Sequence, residues 1–313
     1  MIDRSLLSRL RAPVCAAPMF LVSGPDLVIA ACKAGIMAAF PAPNTRSLDD
    51  FDAWLARIAE AVGEAPWAVN LITHASNERL AGELELIARH KPPVVITALG
   101  SPKPAMAAAR SYGGLVIADV IDMRLAGKAI EAGVDGLACV CAGAGGHTGF
   151  LSPFAFIAAV RARFDGLVVV GGGIADGYGV AGAVAAGADL VYVGTRFIAA
   201  AESLASEAYK QMVIDAGLDD LVVSAAVTGT PASWLKPSLA AAGYDLASPL
   251  AAPTRNYGAP DEAAKRWRDI WAAGQGVGAT RAVEPVAVIV DQLAAEYAEA
   301  VARLVRISGS GSG

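Results

Sequence analysis

The chain has 313 residues, 55% hydrophobic and 18% charged, with a formal net charge of −5. This composition excludes a disordered chain and supports a large buried core. An acidic chain without a basic stripe also argues against nucleic acid as a partner.

The longest stretch free of Asp, Glu, Lys and Arg, residues 136–160, is interrupted by Gly143, Gly145, Gly146 and the Ser152–Pro153 pair. It does not read as a membrane-spanning helix. No apolar targeting segment follows Arg4, Arg9 and Arg11, so a cytoplasmic protein without a membrane partner is expected. Eight short β-rich runs are predicted as strands: Val14–Met19, Ile36–Phe40, Trp67–Ile72, Val94–Leu99, Leu115–Val120, Gly136–Cys141, Leu167–Gly171 and Leu190–Gly194. Most are apolar throughout, the pattern of parallel strands covered on both faces. Helical runs separate them. Leu48, Phe51, Leu55, Ile58 and Val62 step by three and four, as do Leu80, Leu84 and Ile87. Gly35, Gly133 and Gly187 stand where helix C-caps are expected. An eighth helix is predicted over Ser203–Ala216. The pattern predicts an α/β fold, a closed (β/α)8 barrel, with a doubly wound open sheet as the alternative.

The repeat stops at Gly217. Residues 218–283, with Trp234, Trp267, Trp271 and the glycine-rich Ala273–Gly278, read as a lid or binding insertion on a barrel of residues 1–217. Val286, Val290, Leu293, Tyr297, Val301 and Leu304 mark one amphipathic helix over 284–307, expected to pack on the barrel. Residues 308–313 read as a flexible linker.

In a barrel the chemistry sits on the loops after the strands. Gly172 and Gly173 follow strand seven, and Gly194 and Thr195 follow strand eight. Their backbone N–H groups are placed to cradle a phosphate. Gly177, Gly179 and Gly182 match a dinucleotide fingerprint but lie past the strand end, with Arg196 rather than an acid closing the next strand; helix packing is expected there. His147 lies among glycines after strand six, placed for proton transfer or for holding an anion. His74, after strand three, is the reserve, and His90, ending a helix, is expected to be solvated. Asn70, inside an apolar strand, needs hydrogen-bond partners. Cys139 and Cys141 read as buried reduced thiols, and the four cysteines offer no metal site.

Taken together, several segments resemble the nitronate monooxygenase family. They are Ala17-Pro18-Met19 with Ser23-Gly24-Pro25, Val69-Asn70-Leu71, Ala144 to Gly149, Gly172 to Gly177, Gly194-Thr195-Arg196-Phe197, and Ala273 to Gly278. The resemblance implies an FMN-binding TIM barrel. In it Gly172, Gly173, Gly194 and Thr195 hold the flavin phosphate, Pro18 and Met19 lie beside the ring, Asn70 bonds to the flavin, and His147 is catalytic. The implied reaction is oxidation of alkyl nitronates, or of nitroalkanes, by O2 to a carbonyl compound and nitrite. Gly143-Ala144 and Thr148 depart from the family's usual residues beside the histidine. Flavin-dependent enoyl-acyl-carrier-protein reductases share the glycine–histidine and phosphate motifs, which makes NAD(P)H-dependent reduction of an enoyl thioester the alternative activity. A flavin-binding module without turnover is the non-enzymatic one. Homo-oligomerisation is left open.

Overall fold

The computed structural model describes residues 5–245 and 268–309. Eight parallel strands close into a barrel: β1 Val14–Ala16, β2 Met37–Pro41, β3 Trp67–Ile72, β4 Val94–Ala98, β5 Leu115–Val120, β6 Gly136–Val140, β8 Leu167–Gly171 and β9 Leu190–Val193. The barrel closes where Cys15 of β1 registers with Met37 of β2 on one side and Tyr192 of β9 on the other. A short helix, α1 (Ser5–Ser8), precedes it. The surrounding helices are α2 Pro25–Ala34, α3 Leu48–Val62, α4 Leu80–His90, α5 Lys103–Arg110, α6 Met123–Ala132, α7 Pro153–Arg161 and α8 Gly177–Ala185.

Alternation along each strand divides the apolar side chains into two sets. Cys15, Met37, Ala39, Ala68, Val94, Ile96, Ile117, Ala138, Val169, Leu190 and Tyr192 fill the bore. The intervening residues, such as Phe40, Val69, Val95 and Val168, pack outward against the helices. This double coverage is why the strands read as continuous hydrophobic runs.

Local chemistry sets the helix starts. Ser47 and Asp50 form a reciprocal capping box on α3. Asp122 caps α6 and Asp176 caps α8 through their carboxylates. Gly35 and Gly133 end α2 and α6 in the left-handed conformation, at φ of 93° and 84°.

After β9 a short helix precedes the one expected over Ser203–Ala216. α9 (Thr195–Ile198) follows directly, and α10 (Glu207–Asp215) begins only after a turn. The Ser203 hydroxyl donates to Ile198 O at 2.7 Å and accepts from Ala205 N at 3.3 Å. Such local bonds compete with helix, and Ser206 then supplies the N-cap of α10. Within the insertion the chain forms β10 (Leu221–Ser224), β11 (Ala232–Leu235) and α11 (Lys236–Ala241). Trp267 lies outside the described residues.

The last helix, α12 (Val286–Gly309), runs two residues into the segment read as a linker, whose remaining residues 310–313 lie outside the described residues. Val286, Ile289, Val290 and Leu293 are buried against α2 and α8. Val301 and Leu304, expected to pack, are exposed instead; they lie past the part of α12 that the barrel covers. Arg196 fastens α12 to the end of β9. It donates to the Ala279 carbonyl and the Gln292 side chain and pairs with Glu284 at 3.4 Å. Among the described residues no helix is long and apolar enough to cross a membrane.

The Gly177–Gly179–Gly182 triplet serves packing. The Gly177 N–H at the start of α8 donates to Glu296 Oε2 at 2.8 Å. A Cβ at Gly177 would lie 2.2 Å from Tyr297 N and 2.4 Å from Leu293 O. Main chain cannot yield there as a flexible side chain would. Gly177→Ala should therefore lose roughly 1–3 kcal/mol of stability, read as a lower denaturant midpoint at unchanged slope.

Candidate active site

The loops after the strands meet on the C-terminal face of the barrel. The loop after β1 carries Pro18 and Met19, past the end of a strand that stops at Ala16 rather than Met19. Ser23 and Asn44 hold this loop. Met19 N donates to Ser23 Oγ at 3.0 Å, and Asn44 Nδ2 donates to Met19 O at 3.1 Å and Ser23 O at 2.7 Å. Asn44 Oδ1 accepts from Leu21 N, a residue at φ +60°. Met19 reaches Gly194: a Cβ there would lie 3.6 Å from its sulfur.

The glycine loops after β6, β8 and β9 are laced together by the segment 273–278. Gly143 O accepts from both Gly173 N at 3.0 Å and Gln275 N at 2.8 Å. Thr195 Oγ1 accepts from Gly274 N at 2.9 Å. Gly172 and Gly173 both have positive φ, 150° and 70°. A Cβ on Gly172 would lie 2.6 Å from Ala142 O, so close passage of the β6 loop demands glycine there. The Gly173 N–H is thus already committed within the protein. The groups left to meet an anion are the Thr195 hydroxyl hydrogen and the N–H groups around Gly172 and Gly194.

His147 sits in β7 (Gly146–His147), a strand that its local sequence does not announce. It pairs antiparallel with β11, His147 opposite Ala232 and Gly146 opposite Ser233, and β11 pairs in turn with β10. The small sheet is anchored by Trp234, fully buried, whose Nε1 donates to Ser224 O at 3.1 Å. Thr148 completes the anchor: its hydroxyl donates to Cys141 O at 3.0 Å and its N–H to Pro231 O at 3.3 Å. The main chain of His147 is therefore fixed by the insertion, while its side chain stays exposed. A fixed backbone and a solvent-exposed side chain suit a group that meets substrate.

The other histidines are placed differently. His74 is exposed, and its Nδ1 engages its own loop, with Ser76 Oγ at 2.8 Å and Ser76 N at 3.2 Å. His90 corrects the expectation of a solvated residue. Its side chain is 16% exposed and its Nε2 lies 2.6 Å from Asp52 Oδ1, an interhelix contact that holds the Asp52 carboxyl below its usual range. The four cysteines are buried free thiols, and burial pushes Cys32 and Cys141 up to about 12.

Asn70 finds its partner inside the barrel. Its Nδ2 donates to Asp119 Oδ2 at 3.2 Å. Asp119 was not anticipated, although an acid inside the apolar run Leu115–Val120 carries the same signal as Asn70. Desolvation pushes its carboxyl up to about 7, against the lowering effect of the Asn70 bond. Asp119 Oδ1 and the Tyr192 hydroxyl are buried without a hydrogen-bond partner among the described residues. Unpaired polar atoms at the top of the bore, below glycine loops, fit a site for a polar aromatic cofactor.

The family model for nitronate monooxygenase matches residues 76–296. The chain belongs to the nitronate monooxygenase family. Its closed eight-stranded parallel barrel is a TIM barrel. A nitronate monooxygenase of Paraburkholderia phytofirmans is 26% identical, over 93% of this chain and 94% of its own. The nitroalkane oxidase of Streptomyces ansochromogenes superposes with a TM-score of 0.81 at 26% identity, covering 96% of this chain and 99% of that one. A Mycobacterium tuberculosis relative, (3aS,4S,5R,7aS)-5-hydroxy-7a-methyl-1-oxo-octahydro-1H-indene-4-carboxyl-CoA dehydrogenase, is 32% identical over 72% of this chain. The chain spans 64% of that relative's length.

Proposed function

We propose that the protein uses FMN to oxidise alkyl nitronates with O2, giving a carbonyl compound and nitrite. The observation that carries this reading is His147, an exposed imidazole on a pinned backbone at the same barrel face as the glycine loops. Bound FMN supplies the electron acceptor for the substrate and the electron donor for O2. Thr195, with the N–H groups around Gly172 and Gly194, holds the flavin phosphate; Gly173 shapes the loop while its own N–H stays on Gly143. Pro18 and Met19 lie beside the ring, and Asn70 faces it from β3. His147 donates a hydrogen bond to the nitronate oxygens and so holds the anion in place; with a neutral nitroalkane its unprotonated ring takes the α-proton. The FMN-loaded protein given propyl nitronate should consume O2 and release nitrite together. Neither O2 uptake nor nitrite across a panel of alkyl nitronates would refute the reading.

A second reading is oxidoreduction of an acyl thioester, with NAD(P)H-dependent reduction of an enoyl thioester as its simplest form. One observation favours it. Leu99, Ile121 and Phe150, on the loops after β4, β5 and β7, are 45%, 40% and 73% exposed. Three large apolar side chains on this rim suit a substrate longer than a small nitronate. Rapid flavin reduction by NAD(P)H would favour this reading.

A further inference from the structure

The bore holds polar groups from three strands that are not neighbours in the barrel. Asn70 lies on β3, Asp119 on β5 and Tyr192 on β9. Asn70 binds one Asp119 oxygen, while the other oxygen and the Tyr192 hydroxyl are buried and unpaired among the described residues. Two such atoms in one bore are rare in a native interior unless something else supplies their partners. No hydrogen bond joins them to each other, so a polar atom of a third group is needed to satisfy them.

The groups acting on Asp119 are all neutral or acidic. Asn70 reaches it from β3; the Tyr192 phenol on β9 and the Cys15 thiol on β1 are pushed up first by their own burial and, to a lesser extent, by the Asp119 carboxyl near them. No cation among the described groups acts on it to hold a carboxylate in the bore. A neutral carboxyl carries a proton to donate, and the flavin ring system offers carbonyl oxygens and ring nitrogens to accept it.

We propose that Asp119 contacts the cofactor, donating a hydrogen bond from its neutral carboxyl to the flavin ring system alongside the Tyr192 hydroxyl. This rests on the flavin assignment above and deepens it: flavin binding becomes linked to one proton inside the barrel. The apoprotein loses that proton as pH rises through about 7, and the bound form keeps it. FMN affinity should then fall about tenfold per pH unit above neutrality, roughly a hundredfold between pH 6 and pH 9.

The test is the dissociation constant of FMN for the apoprotein from pH 6 to pH 9, by quenching of flavin fluorescence. Wild type and Asp119→Asn are compared, because the variant keeps the shape without the titration and cancels the flavin's own ionisations. The expected result is a steep fall for wild type and a flatter profile for the variant. Parallel profiles would overturn the inference while leaving the flavin assignment standing; absence of FMN binding at every pH would overturn both. A second measurement needs no variant. Calorimetry at pH 8 in two buffers of different ionisation enthalpy should show uptake of about one proton per flavin, and zero uptake would count against the proposal.

Discussion

His147→Ala should keep its flavin and its fold while losing roughly 10²- to 10⁴-fold in turnover, the usual range for a lost proton-transfer group. The fold survives because β7 is held by main-chain pairing to β11 and by the Thr148 bonds to Cys141 and Pro231, none of which uses the imidazole. The side chain is exposed, so thermal stability should change by no more than about 0.5 kcal/mol. His147→Gln separates the two roles of the ring. An amide still donates a hydrogen bond to a nitronate but cannot remove a proton, so Gln should retain more activity with nitronates than with neutral nitroalkanes. Steady-state rates on both substrate forms, with flavin content measured by absorbance, check this. Full turnover of the flavin-loaded Ala variant would remove His147 from the mechanism.

Asp119→Asn should stabilise the apoprotein increasingly as pH rises. In the unfolded chain the carboxyl ionises at its ordinary value, whereas in the fold burial holds its proton up to about 7. Below the ordinary value both states are protonated and the carboxyl costs nothing. Between there and about pH 7 folding must take up a proton, so the wild-type fold loses stability until the folded carboxyl also ionises. The full loss is ~4 kcal/mol if the site stays dry, and roughly 2–4 kcal/mol once water entering from the open barrel face is allowed for. Asparagine does not titrate and avoids this loss. Denaturant unfolding at pH 4.5 and pH 8 should show the variant's advantage growing by about three-quarters of that amount, since pH 4.5 already lies above the ordinary value; an advantage independent of pH would mean that Asp119 is not held in its neutral form.

The barrel was legible because its strands are covered on both faces. Trp67–Ile72, Leu115–Val120 and Leu167–Gly171 match the predicted bounds residue for residue, since continuous apolar runs between glycine and polar breaks leave little choice of register. The small sheet was not legible. Gly146–His147 becomes a strand only because Ala232 and Ser233, more than 80 positions later, pair with it, and nothing local in a glycine-rich loop encodes that contact. His147 could be singled out from its setting, but the sheet that fixes it could not. Asp119 was legible and overlooked: its offset of two from Ile117 puts it in the bore, as the same offset from Ala68 does for Asn70. His90 reads as a helix-end residue facing water; its burial depends on Asp52 of a different helix.

The most direct measurement is an anaerobic titration of the FMN-loaded protein with propyl nitronate, followed by flavin absorbance. The account predicts loss of the oxidised-flavin bands on mixing, their return when O2 is admitted, and nitrite in the product. A flavin that stays oxidised with every nitronate yet is bleached at once by NAD(P)H would contradict it and assign this barrel to thioester reduction instead.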